Sequence, residues 1–149
     1  MPKAKKNKNF SAEIKFTGIE LLKSAINMPS SQAVPLNNFN FNITIESKGD
    51  AEKKLLFVIV NIEVKSFDQK EILGSIVTSC IYEIMKFSEL VEIDSNGKMI
   101  VNPQLVEILN SISISTTRGA MFTTFKGTYL HQAILPIIDP KSFLSVEAQ

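Results

Sequence analysis

Between Phe39 and Glu46 every odd position is apolar and every even one polar: Phe39, Phe41, Ile43 and Ile45 alternate with Asn40, Asn42, Thr44 and Glu46. That two-residue period predicts a half-buried strand with one wet face. Ser47-Lys48-Gly49-Asp50 reads as the turn that follows. Leu55 to Phe67 predicts a long strand, apolar on both faces up to Val60, then alternating, with Ile62 and Val64 inward and Asn61, Glu63 and Lys65 outward. Asp68-Gln69-Lys70 turns the chain, and Ile72 to Phe87 predicts a third long strand. Its large residues occupy both faces, Ile72, Ile76, Tyr82 and Ile84 against Leu73, Val77, Ile81 and Met85. Strands apolar on both faces are usual in parallel sheets, but connections this short leave no room for crossover helices. An antiparallel sheet with both faces covered is expected, one by the chain's own helix and the other by a partner subunit.

The flanks are read from other periods. From Ile14 to Met28 the positions Phe16, Ile19, Leu22 and Ile26 fall at helical spacing, and Pro29 closes the segment. Asp94-Ser95-Asn96-Gly97-Lys98 is a turn; its partial likeness to a calcium loop fails for want of a downstream ligand ladder and closing glutamate. Asn102-Pro103 supplies an N-cap and a first-turn proline, and Leu105, Ile108, Leu109 and Ile112 follow at helical spacing. Ile112 to Thr117 is β-branched and alternating, a pattern shared with strands. The segment is read as helix to about Thr117, with Gly119 as the stop. No internal repeat is visible.

The chain has 149 residues, enough for one domain with a full core, and 44% of them are hydrophobic. The mean hydropathy is positive, and the net charge of +1 carries no nucleic-acid signature. The lysines at positions 3, 5, 6 and 8 make residues 1–12 a basic arm expected to be disordered. No apolar run follows the arm, so it is no secretory signal, and Leu55 to Val60 is too short to cross a bilayer. A single cysteine, Cys80, allows no internal disulfide and fits a cytoplasmic setting.

Enzyme constellations are absent. No phosphate loop or dinucleotide fingerprint occurs, and one histidine with one cysteine makes no zinc cluster, so no cofactor or metal is expected. A Cys80–His131 thiol–imidazole pair is conceivable in principle, yet Cys80 lies mid-strand, where a buried inert thiol is the ordinary case. Ten phenylalanines, five methionines and no tryptophan suit a binding surface instead. Candidates for an apolar groove are Phe39, Phe41, Met85, Phe87, Met121, Phe122, Phe125 and Tyr129, each of which singly fits core packing better. The lone arginine, Arg118, precedes Gly119 in a chain that otherwise uses lysine, so its guanidinium fork is read as a structural cap on carbonyls.

In order, these features resemble the SecB family of export chaperones: a first segment ending at Pro29, three long strands, a polar break, one long helix, Arg118-Gly119, and a closure from Leu135-Pro136 to Phe143. The resemblance covers most of the chain, on short motifs. It makes Ile14–Met28 a first, irregular strand. It implies an α+β fold, a four-stranded antiparallel sheet with one long helix and a short C-terminal one packed on one face. Residues 13–145 would form the single domain and 146–149 a tail. It implies a homo-oligomer (dimer or tetramer) and ATP-independent holding of unfolded polypeptide clients, without nucleic acid or membrane. Three departures bear on the role. Lys23, Asn27 and Ser75 stand where exporting members place acidic residues for the SecA motor, so SecA docking is in doubt. Phe122 to Gln132 reads as an insertion of about ten residues. The second helix and motor-binding tail are curtailed. These features favour a chaperone outside general export, such as one protecting an antitoxin. A non-catalytic module that binds one folded partner is the alternative.

Overall fold

The computed structural model describes residues 13–30 and 38–143; the expected basic arm at 1–12 and the tail at 146–149 lie outside them. Four strands, β1 (Ile14–Ile26), β2 (Asn40–Asp50), β3 (Leu55–Lys65) and β4 (Ile72–Ile84), form one antiparallel sheet in the order β1-β4-β3-β2. A short helix α1 (Phe87–Leu90) leads to a hairpin of β5 (Val91–Ile93) and β6 (Met99–Val101). The long helix α2 (Pro103–Phe125) then crosses one face of the sheet, and a 3-10 turn at Pro140–Phe143 follows. The architecture is α+β, as expected.

β1 is a strand although its apolar residues are spaced as in a helix. Its ladder with β4 slips twice, between Phe16 and Gly18 and between Leu21 and Lys23. Each bulge inserts one residue, so a step of two on the partner becomes a step of three on β1. Phe16, Ile19, Leu21 and Ile26 stand opposite Tyr82, Cys80, Thr78 and Gly74, all on the face that α2 crosses.

Three boundaries differ from expectation. β2 continues through Asp50, so Ser47–Asp50 is strand and the turn is residues 51–54. β4 stops at Ile84 because Phe87 and Leu90 turn inward through α1, each under 6% exposed. Irregularity at the start of β4 puts Leu73 with the core side and leaves Ile72 exposed.

The fourth difference is the helix end. α2 runs past Gly119 to Phe125. A glycine inside a helix costs about 1 kcal/mol. Continuing buries Met121 and Phe125, both 1% exposed, at roughly 1.5–3 kcal/mol each, and burial wins. The stop is Gly127 in the left-handed region (φ 80°), with the Thr128 amide and hydroxyl both donating to the Phe125 carbonyl. Phe122 to Phe125 is therefore the last turn of α2 and not inserted loop. At the other end Asn102 caps as expected, accepting from the amides of Gln104 (3.0 Å) and Leu105 (3.4 Å).

Arg118 consequently lies within the helix, not at its end. Its Nε donates to the Leu135 carbonyl (3.0 Å) and its Nη2 to the Pro136 carbonyl (2.8 Å), which ties the returning chain to α2. The expected C-terminal helix is only the Pro140–Phe143 turn, which packs against α2; the side chain of Phe143 lies outside the described residues.

The seam between helix and sheet is polar at its centre. Thr117 Oγ1 donates to the Ser113 carbonyl (2.7 Å), so the 2.6 Å bond joining it to Thr78 must take the Thr78 proton. Tyr82 and Ser113 share a hydrogen bond of 2.7 Å, and all four residues are fully buried. Apolar contacts flank this seam, from Leu105 and Leu109 at one end and Met121 and Phe125 at the other. Gly74 lets the second end close: a Cβ there would lie 2.5 Å from Leu130 Cδ1 and 3.1 Å from the Ala25 carbonyl.

Thr117→Val should cost about 1–3 kcal/mol, because it strands the buried Thr78 hydroxyl, and Thr78→Val/Thr117→Val should recover part of the loss. Urea unfolding of the four proteins measures that coupling. Arg118→Lys, which cannot span both carbonyls, should lower stability by about 1–2 kcal/mol and speed amide exchange in residues 134–138 more than in the sheet.

Candidate polypeptide-binding surface

The eight groove candidates do not form one continuous surface. Phe87, Met121 and Phe125 are core residues, at 5%, 1% and 1% exposure, so they are closed to a ligand in this fold. Phe39 and Phe41 are half-buried against the same core. Tyr129 is also half-buried, its hydroxyl donating to the carbonyls of Leu73 (3.1 Å) and Asn27 and so locking the ends of β1 and β4 to the chain after α2. Met85 and Phe122 are open, at 48% and 47%. Met85 and Phe87 share a shallow cleft of about 560 Å³ with Ala51, Lys54, Val91 and Ile93.

Apolar surface is nevertheless plentiful, and two stretches of it are ordered by secondary structure. On α2, Ile108, Ile112, Ser115, Gly119 and Phe122 follow one another at steps of four, three, four and three, which is a single stripe. All five are exposed, and they lie opposite Leu109, Ser113 and Thr117, which face the sheet. The stripe is about 21 Å long at 1.5 Å per residue. His131 packs on its end, ring centroids 5.8 Å from Phe122.

The second stretch is β1, an edge strand with one side of its backbone unpaired among the described residues. Phe16, Ile19, Leu21, Leu22 and Ile26 are each 41–54% exposed. A long apolar edge is ordinarily covered, since it offers free amides and carbonyls to any extended chain. The candidate list omitted these residues because strand order does not show in a linear pattern. The signal present was the density of large apolar residues in a segment followed by proline.

Cys80 is fully buried, whereas His131 is exposed on Phe122, so the thiol–imidazole pair does not form. Burial pushes the Cys80 thiol above its ordinary pKa, against the opposing effect of the Ser113, Thr78 and Tyr82 hydroxyls. Burial likewise holds the Tyr82 phenol well above the ordinary tyrosine value. Among the described residues no group of histidine, cysteine and carboxylate side chains has the makings of a metal site, and no helix is long and apolar enough to cross a membrane.

The same α+β arrangement, a four-stranded antiparallel sheet with one long helix across it, occurs in a SecB-like chaperone of known structure. Among solved structures the chain is similar to the Mycobacterium tuberculosis SecB-like chaperone Rv1957, determined in complex with a ChAD peptide from the Rv1956 HigA1 antitoxin. The TM-score is 0.53 at 11% identity, over 87% of this chain and 93% of that one. No protein-family model and no curated protein matches the sequence. The likeness is one of fold.

The raised values of Cys80 and Tyr82 make alkaline stability a test of the seam. Both groups hold their protons more tightly folded than unfolded, so this stabilisation is complete below the unfolded values and is lost as pH rises above about 8.5. The melting temperature should be level near neutrality and fall above about pH 9. The native Cys80 thiol should resist a disulfide reagent that titrates it fully in urea.

Proposed function

We propose that this protein is an ATP-independent chaperone of the bacterial cytosol that holds non-native polypeptide segments on apolar surface. The observation that carries the reading is the α2 stripe: Ile108, Ile112 and Phe122 stay 39–47% exposed although the core beneath is complete. A chain whose helix needed only to cover the sheet would gain solubility from polar residues there. Flexible or large apolar side chains spaced along a rigid helix accept many extended sequences, because contact by area asks little of sequence. The fold neighbour bound to an antitoxin peptide supports the same reading. It also favours a dedicated client over general export. So does the charge of the sheet, where Lys23, Asn27 and Ser75 offer no carboxylate to a basic motor surface.

Purified protein should suppress aggregation of several unrelated unfolded proteins without nucleotide, and Ile112→Asp/Phe122→Asp should reduce that protection at least fivefold while the fold persists. Protection of none of them, together with retention of a single folded partner, would leave an interaction module in place of a chaperone.

A further inference from the structure

The cleft of about 560 Å³ where β4 gives way to α1 has an apolar floor and a charged mouth. Phe87 and Val91 are buried in its floor, and Met85 and Ile93 open on it at 48% and 57% exposure. On the two segments that supply the lining, 50–54 and 85–93, Asp50, Glu52, Glu89 and Glu92 stand against Lys53 and Lys54. Lys86 is engaged by Glu13 at 3.1 Å, which leaves the mouth net acidic. The start of β1 touches this cleft, since the Met85 amide donates to the Glu13 carbonyl (2.9 Å). β1 runs antiparallel to β4, so its direction aims the preceding chain past Met85 toward α1 and β5. That preceding chain, residues 1–12, lies outside the described residues. It reads MPKAKKNKNFSA, with lysines at 3, 5, 6 and 8, no carboxylate side chain and one aromatic, Phe10.

We propose that the N-terminal arm, residues 1–12, docks in this cleft of its own chain, with Phe10 on the apolar floor beside Met85 and Ile93 and the lysines across the acidic mouth. The reach is sufficient. Three residues separate Phe10 from Glu13, and three extended residues span roughly 10 Å. An aromatic ring laid on methionine and isoleucine buries a large area and orders few torsions. Charge selects the occupant. An arm of four lysines without a carboxylate matches a mouth where acidic side chains predominate, whereas an acidic segment of equal hydrophobicity would be repelled. The tether makes so small a contact effective. A segment anchored three residues away faces the cleft at a local concentration of roughly millimolar, which a free peptide does not reach. The arm is thus an internal ligand: it covers Met85 and Ile93 and must leave before another chain can use the cleft. The inference does not depend on client holding, which is assigned to the α2 stripe.

The test uses the full chain and disulfide trapping in a glutathione buffer. Phe10→Cys/Ile93→Cys should close an intramolecular disulfide at least tenfold more readily than Phe10→Cys/Glu83→Cys, whose second cysteine lies beside Lys15 in the sheet and off the cleft lining. Buried Cys80 takes no part. Adding Lys5→Glu/Lys6→Glu/Lys8→Glu should reduce trapping at position 93 at least fivefold in low salt. Salt of about 1 M, where charges are screened within about 3 Å, should erase that difference. Without trapping, Phe10→Ser should shift the Met85 methyl resonance by removing a ring current and leave that of buried Met121 in place. Four results would overturn the proposal: equal trapping at positions 93 and 83, trapping indifferent to the charge reversal, a trapped product that is a covalent dimer, or a Met85 resonance indifferent to Phe10→Ser.

Discussion

The hydroxyl seam between β4 and α2 decides where the helix lies. Methyl groups pack acceptably at many registers, but the Thr78–Thr117 and Tyr82–Ser113 bonds exist at one. A slide of one helical turn would bring Leu109 onto Tyr82, or Met121 onto Thr78, and strand two buried hydroxyls at once. Everything peripheral inherits this position. The stripe of Ile108, Ile112 and Phe122 points outward because Ser113 and Thr117 point inward. Phe125 and Leu130 meet over Gly74 because the helix is neither advanced nor withdrawn. Cys80, enclosed by the same hydroxyls, is fully buried in the core.

The alternation in β2, β3 and β4 was legible because those strands pair without interruption over most of their length, so the two-residue period reaches the primary structure undistorted. β1 was not legible from period alone: its bulges convert strand spacing into a helical count, and only the family resemblance corrected it. Gly119 misled for a different reason. It is a local signal, and the burial that overrides it depends on Met121 and Phe125 finding the sheet, which no window of sequence contains. The aromatic groove list failed likewise in part. Composition identifies residues fit for a binding surface, but Phe87, Met121 and Phe125 are equally fit for a core, and tertiary position decides.

The two sides of the sheet divide the apolar load differently. The helix side has a finished interior whose outer cover is itself apolar. The opposite side is apolar at its centre and charged at its margins. Lys23 and Ser75 belong to this second side, where Lys23 lies opposite Val77 and Ser75 opposite Ala25.

The placement of Arg118 inside α2 has a bearing on the order of folding. Its two carbonyl acceptors lie 17 and 18 residues further along the chain, and the guanidinium can reach both only when the helix around it already exists. The segment after Gly127 therefore condenses onto a preformed helix and cannot nucleate it. Leu130, Ala133 and Leu135 are buried in the core, so once docked this stretch is held by apolar burial from beneath as well as by Arg118.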